Sequence, residues 1–280
     1  MGKTGIWQKT AIPYILIMVM ICCLSGCTGK DANTHTTTDD GAVNDKSRGT
    51  VTLTLAAAAS LKNAFENDLI PAFNSKYPDI KIVGTYDSSG KLQTQIEEGL
   101  DADIFFSAAM KQMNVLNDAG RIESSTIDKL LENKIVLITG EMENAGFKEF
   151  TDILNAETIA IGDPESVPAG QYAKEAFTSL GIWDEVIAKA SLGTNVTEVL
   201  SWVAEGSAQA GVVYATDAAS QPKVKVIAEA PEGSLEKPVI YPVAMVKSSS
   251  HPEEAGKFLD FLSGDEAAKI FEKYGFTVNK

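Results

Sequence analysis

From Thr50 onward, short apolar runs alternate with segments whose apolar residues recur at helical spacing. TVTLTLAAAAS starts with β-branched residues at every second position and runs into small ones, which predicts a strand ending near Ala58. The next segment places Leu61, Phe65, Leu69 and Phe73 four apart, one face of a helix with Ser60 at its cap and Pro71 as a point of kinking or division. DIKIVGTY predicts a second strand, SSGKLQTQIEEG a helix stopped at Gly99, ADIFFSA a short strand, and MKQMNVLNDAG a helix closed at Gly120. NKIVLITG reads as a long buried strand. TIAIGDPESVPAGQYAKEAFTSLG reads as strand, turn and a helix starting near Pro168, where proline's missing N–H is not needed. TNVTEVLSWVAEG is a helix stopped by Gly206, and AQAGVVYATDA a strand and turn. KVKVIAE and KPVIYPVAMV are strands, and HPEEAGKFLDFLSGDEAAKIFEKYG is two helices. Strands alternating with helices predict parallel sheets covered on both faces, here two α/β units.

The first 49 residues follow different rules. Lys3 and Lys9 precede the uncharged apolar run Ala11–Gly26, which ends in LSGC at Leu24–Cys27. A basic leader, an apolar stretch and small residues before a cut describe a secretory signal over 1–26. The 16-residue run is shorter than the ~20 residues of a membrane span. LSGC resembles a lipobox, which implies cleavage before Cys27 and acylation of its thiol. The chain has three cysteines. Cys22 and Cys23 leave with the signal and Cys27 carries lipid, so no disulfide or thiolate metal site is left to the body. Residues 27–49 are then a tether. Lys30 to Gly49 contains one Val and no larger aliphatic or aromatic residue, too little to offset chain entropy by burial. The expected location is extracytoplasmic, anchored to the membrane through Cys27.

Charge narrows the partners. The chain carries 38 acidic and 24 basic residues, a formal charge of -14, and loss of the two leader lysines takes it to -16. That balance, without a basic patch, argues against nucleic acid. Yet several predicted helices start in small or hydroxyl residues directly after strands: Ser60; Ser88, Ser89 and Gly90; Pro168, Ala169 and Gly170; Thr194, Asn195 and Val196. Each start offers unpaired N–H groups at the positive end of a helix dipole, and several converging ones would make an anion site without a cationic side chain. Taken singly, each is an ordinary N-cap, and Tyr214 is an ordinary half-buried aromatic. Other chemistries have weaker support. Of two histidines, His35 lies in the tether and His251 opens a C-terminal helix, and no GxSxG pattern supports a serine nucleophile, so no enzyme is expected. Asp101–Asp103 reads as a turn before a strand rather than a cation site. Residues and spacing alone thus describe an extracytoplasmic two-lobed α/β protein with an open question of anion binding.

AAAASLKNAF, SSGKLQTQIEEGLDADIFFSA, IGDPESVPAGQYAKEA, GVVYATDA and YPVAMV…FLSGDEAAKIFEKYGFT closely resemble, in order from about Val51 to Thr277, the molybdate-binding proteins of ABC importers. The resemblance implies a type II periplasmic-binding-protein fold: two α/β lobes joined by two crossings and closing over a ligand. Lobe 1 is expected at 50–136 and 241–280 and lobe 2 at 137–240, with crossings near Lys134–Gly140 and Lys237–Val246. It also implies five neutral contacts to a tetrahedral oxyanion: the hydroxyls of Ser60, Ser89 and Tyr214 and the backbone N–H groups of Ala169 and Val196. The implied ligand is molybdate or tungstate, with sulfate or phosphate as the alternative, and no cofactor or free metal cation. The implied partner is a membrane permease with its ATPase, and a monomer is expected. Asp87 stands beside the paired serines, where a carboxylate would oppose an anion unless it faces solvent or caps a turn.

Overall fold

The computed structural model describes residues 49–142 and 146–279. The expected signal segment, Cys27 and all of the tether but Gly49 lie outside the described residues.

β1 (Val51–Ala58) leads into a continuous helical run: a 3-10 turn at Ala59–Leu61, α1 (Lys62–Ala64), a π turn at Phe65–Leu69, and α2 (Ile70–Lys76). The π turn ends one residue before α2, so Pro71 falls in a first turn, where its missing N–H costs nothing, and the run is not broken. β2 (Ile80–Asp87), α3 (Ser89–Glu97), β3 (Ile104–Phe106) and α4 (Met110–Asp118) follow, then β4 (Asp128–Asn133). Only Lys134 separates β4 from β5 (Ile135–Gly140). Next come β6 (Ile159–Gly162), α5 (Pro168–Ser179), α6 (Trp183–Ile187), β7 (Ala190–Gly193), α7 (Val196–Ala204), β8 (Ala210–Tyr214), α8 (Ala215–Ala219) and β9 (Val224–Glu229). β10 (Val239–Met245), α9 (Pro252–Leu262), α10 (Asp265–Lys273) and β11 (Thr277–Val278) complete the chain.

The strands form two sheets, ordered β11-β4-β10-β3-β1-β2 and β7-β6-β8-β5-β9. The chain passes from the first to the second at Lys134 and returns between Glu229 and Val239. The expected lobe limits at 136/137 and 240/241 therefore fall inside β5 and β10, two residues from these passages. The sheets are not purely parallel, as the strand–helix alternation implied. β1 pairs in parallel with β2 and β3, and β6 with β7 and β8. β10 is antiparallel to β3 and β4, and β5 to β8 and β9. A strand arriving from the other sheet needs no crossover helix, so its direction is not fixed by the right-handed βαβ rule that keeps its neighbours parallel. β4 and β7 were not foreseen. Leu130 and Leu131 are adjacent rather than alternating, and three of the four β7 residues are not buried.

Apolar alternation along β1 ends in Ala56–Ala58, small residues that let the following turn approach the sheet end. Against this sheet packs an aromatic cluster drawn from distant segments. Phe65 meets Phe106, Phe271 and Phe258 with ring centroids 5.9, 6.1 and 6.3 Å apart. The two C-terminal helices thus return to the first sheet because their apolar stripe completes its core. Phe65→Ala, which removes a fully buried ring from the middle of this cluster, is expected to cost about 3–5 kcal/mol of stability, read from the urea midpoint at unchanged m-value.

Candidate functional site

In both sheets the parallel strands end at the same edge, and each is followed by a helix start. Four such starts and one strand end converge between the sheets. Ser60 lies within the Ala59–Leu61 turn after β1. It does not cap the helix, as expected: the N-cap position is Ala58, without a side-chain bond. The Ser60 Oγ instead lies 3.0 Å from the hydroxyl of Tyr241 on β10. After β2, Ser88 is the N-cap of α3 and its hydroxyl accepts the Lys91 N–H. Ser89 is fully buried, and its Oγ accepts the Ala108 N–H at 2.9 Å.

The second sheet supplies the other contacts. Ala169 is in the first turn of α5, and Gly170 beside it has no room for a side chain, because a Cβ there would overlap the Gly162 carbonyl. Val196 is the first residue of α7, whose N-cap Asn195 accepts the Glu198 N–H at 3.0 Å. The buried Tyr214 ends β8, and its hydroxyl points toward the Ala108 carbonyl at 3.5 Å.

Contacts across the gap hold these groups together. The Gly90 N–H donates to the Ser166 carbonyl at 3.0 Å, joining the first turn of α3 to the loop before α5. Gln112 donates to Gln171 at 3.1 Å, joining α4 to α5. α7 packs on the Ala59–Leu61 turn. The Ala108 peptide lies between Ser89 and Tyr214, one on its N–H and the other on its carbonyl. These contacts tie the starts of α3 and α4 to the loop before α5 and to α5 itself, the end of β8 to Ala108, and α7 to the Ala59–Leu61 turn.

Asp87 is accounted for locally. Its Oδ1 accepts the Ser88 N–H at 2.8 Å, the Lys91 ammonium at 3.3 Å and the Asn195 amide at 3.5 Å. It caps the turn, has a counter-charge, and touches the opposite side of the cleft. Asp103, from the Asp101–Asp103 stretch, accepts the Thr54 N–H at 2.7 Å and the Ser249 hydroxyl at 2.6 Å.

Burial sets the protonation of the phenols. Tyr214 and Tyr241 are both pushed well above the usual phenol range, mainly by burial. Both remain neutral O–H groups through the physiological range, able to donate. Behind them lies Asp217 on α8, buried, with Oδ2 unpartnered. Desolvation pushes its pKa up to about 7, opposed only by a hydrogen bond from the Tyr214 backbone.

The pattern along the chain showed four of these places as helix starts and left several contributors unnoticed. Tyr241 was visible only as part of a strand, and Asn133, Ser166 and Asp217 had no local signal. Ala108 follows a strand that ends at the same edge, which is the one cue that could have found it.

A model of the bacterial extracellular solute-binding proteins matches residues 53–277. The chain belongs to this family. Two curated relatives are each 39% identical to it. One is the molybdate-binding protein ModA of Escherichia coli (strain K12), over 81% of this chain and 89% of the relative. The other, of Bacillus subtilis (strain 168), is provisionally named an ABC transporter substrate-binding lipoprotein, YvgL, and matches over 94% of this chain and 96% of its own length. Among solved structures, the periplasmic molybdate-binding protein of Azotobacter vinelandii superposes with a TM-score of 0.71 at 23% identity, covering 81% of this chain and all of that one. That likeness shows the fold: the two sheets are the lobes of a periplasmic binding protein.

Asp217 gives the site a pH signature in stability. The folded state holds its proton to a higher pH than the unfolded chain, whose carboxylate titrates near 4. Its contribution is therefore full below pH ~4, falls as pH rises toward 7, and is level above, a total of up to about 4 kcal/mol. The melting-temperature advantage of Asp217→Asn over the parent should be near zero at pH 4 and grow to a plateau above pH 7.

Proposed function

We propose that this protein captures molybdate, with tungstate as an equivalent guest, outside the cytoplasm and delivers it to an ABC importer. It is proposed to hang from the membrane by lipid on Cys27, to act as a monomer without catalysing a reaction, and to hand its solute to a permease driven by an ATPase. The observation that carries this reading is the set of contacts between the two sheets beside these residues, Gly90 to Ser166, Asp87 to Asn195 and Ala108 to Tyr214. Ser60, Ser89, Ala169, Val196 and Tyr214 are the donors proposed to hold the anion there. The relatives named above support the choice of anion.

The chemistry of the donors favours such a guest. A dianion loses a large hydration energy on burial, and only hydrogen-bond donors in contact replace it without a cation. Charge-assisted bonds contribute about 1.5–3 kcal/mol each. Five of them cover the roughly 8 kcal/mol of a micromolar affinity after ordering costs. Net charge matters less, because it is screened over about 8 Å at physiological salt while the donors touch the ligand. A protonated oxyanion brings a hydrogen to a place lined with hydrogens, leaving donor against donor. Sulfate has the right charge but shorter bonds, and would fit a molybdate-sized cavity loosely.

Since the donors come from both lobes, the ligand bridges them, and binding draws a hinge equilibrium toward closure. The proposed hinge runs through Lys134 and the 230–238 segment. Closure needs glycine at position 90, because a Cβ there would overlap the Ser166 carbonyl.

Calorimetric titration with molybdate, tungstate, sulfate and phosphate at one salt concentration tests the reading. Molybdate and tungstate should bind, and should raise the melting temperature far more than the other two. Equal shifts from all four would remove the specificity claim. Ser89→Ala and Tyr214→Phe should each weaken molybdate binding by about 1–3 kcal/mol. Gly90→Ala should weaken it too, since a Cβ at position 90 would meet the Ser166 backbone across the cleft.

A further inference from the structure

We propose that Tyr241 is a positioning residue of the anion site: with Asn133 behind it, it fixes the Ser60 hydroxyl as a donor, and this excludes protonated oxyanions. This rests on the oxyanion reading above. No role in binding falls to Tyr241 or Asn133 from the five contacts described.

A serine hydroxyl can donate one hydrogen bond and accept others. To serve an anion, its proton must point at the anion, and another donor must fill its oxygen. For Ser89 this is settled by a backbone N–H, that of Ala108, which can only donate. Ser60 has no such partner. Its neighbour is the Tyr241 hydroxyl at 3.0 Å, and either oxygen could be the donor. The direction is decided one step further back. The Asn133 Oδ1 accepts the Lys134 N–H at 2.8 Å, which fixes the orientation of the amide. Its Nδ2 then faces Thr216 Oγ1 at 2.9 Å and Tyr241 Oη at 3.3 Å. An amide NH2 has two protons and no lone pair to offer. Tyr241 receives one of them, which leaves its own proton for Ser60 or for the neighbouring Tyr214 hydroxyl. The proposed relay gives it to Ser60, 3.0 Å away, and the Ser60 proton is then left for the cleft.

The surroundings hold this relay in place. Tyr241 is fully buried, with its ring edge-on to Tyr214 at 5.3 Å and to Phe276 at 5.4 Å. Asn133 and Tyr241 lie on β4 and β10, the strands next to the two passages between the lobes, and Thr216 lies on the other lobe. The phenol stays protonated, since Tyr241 is pushed well above its usual range. The proposed direction supplies every proton and lone pair of the relay from groups the structure shows. The reverse would have Ser60 donate to Tyr241 and present a lone pair to the guest.

The test is a calorimetric cycle on the purified protein with molybdate and with inorganic phosphate at a pH where phosphate is protonated. The variants are Tyr241→Phe, Ser60→Ala and the two combined. Tyr241→Phe should weaken molybdate binding about tenfold, and should cost nothing further in the Ser60→Ala background. It should also lower the ratio of molybdate to phosphate affinity, because a freed Ser60 oxygen can accept the phosphate proton. Ser60→Ala, which has no oxygen to accept, should not improve phosphate binding. A merely structural role for Tyr241 would not move that ratio. Asn133→Asp replaces the donor at the far end by an acceptor and should weaken molybdate binding at least as much. Unchanged affinity and unchanged ratio in Tyr241→Phe would overturn the proposal, as would full additivity of the two losses. If the parent protein prefers another oxyanion, the molybdate reading fails, and the same cycle with that anion still decides the relay. If the parent binds none of them, both fall.

Discussion

The contact between the Gly90 N–H and the Ser166 carbonyl sets the distance at which the two halves of this molecule meet. It is a backbone bond between segments that have no side chain in the way, and no other residue type leaves room for it. Side-chain contacts cross the cleft beside it, Gln112 to Gln171 among them. The start of α3 lies against the loop before α5, so Ser89 and Ala169 are brought to the same space. Asn195 reaches Asp87, and Tyr214 reaches the Ala108 peptide. A cleft closed by backbone has little freedom in width, whereas one closed by long side chains could settle at many separations. This is a physical basis for discriminating guests by size, which neutral donors by themselves do not provide.

The same neutrality explains how an acidic chain can present the proposed anion site. The one carboxylate beside the serines is tied down by a backbone N–H, an ammonium and an amide, all on one oxygen. Asp217, deeper behind Tyr214, stays largely protonated up to about pH 7 because burial penalises its charge. Near the cleft, then, one negative charge is compensated and the other is suppressed. Apart from the buried Asp103, the other described acidic residues are at least partly exposed, where screening weakens their field before it reaches the guest.

Much of this could be read along the chain. Helix starts at α3, α5 and α7 carry the hydroxyl, proline and glycine signals that short-range rules recognise, and the strands before them are regular. Local rules failed where the structure depends on the second lobe. β4 has adjacent leucines because both of its faces are covered: Leu130 and Leu131 point to opposite sides of the sheet and both are buried. Ser60 looked like a cap because a serine after a strand usually is one. It is freed from that duty by a partner 181 positions away. Asn133 is an unremarked polar residue at a strand end, and its meaning comes from Thr216 and Tyr241, both more than 80 positions downstream.

The C-terminal signature ties these distances together. Phe276 lies against Phe271 at 6.1 Å and against Tyr241 at 5.4 Å, and Phe271 lies against Phe65 and Phe106. A row of rings in edge-on contact thus runs from the last helix, through the core of the first lobe, to the phenol beside Ser60. Aromatic pairs of this geometry resist rotation, because tilting one ring forfeits its contact with the next. The chain end therefore contributes to the cleft without touching it. It immobilises the ring whose hydroxyl must stay aimed at Ser60, and a donor that cannot swing away costs little entropy when a guest arrives.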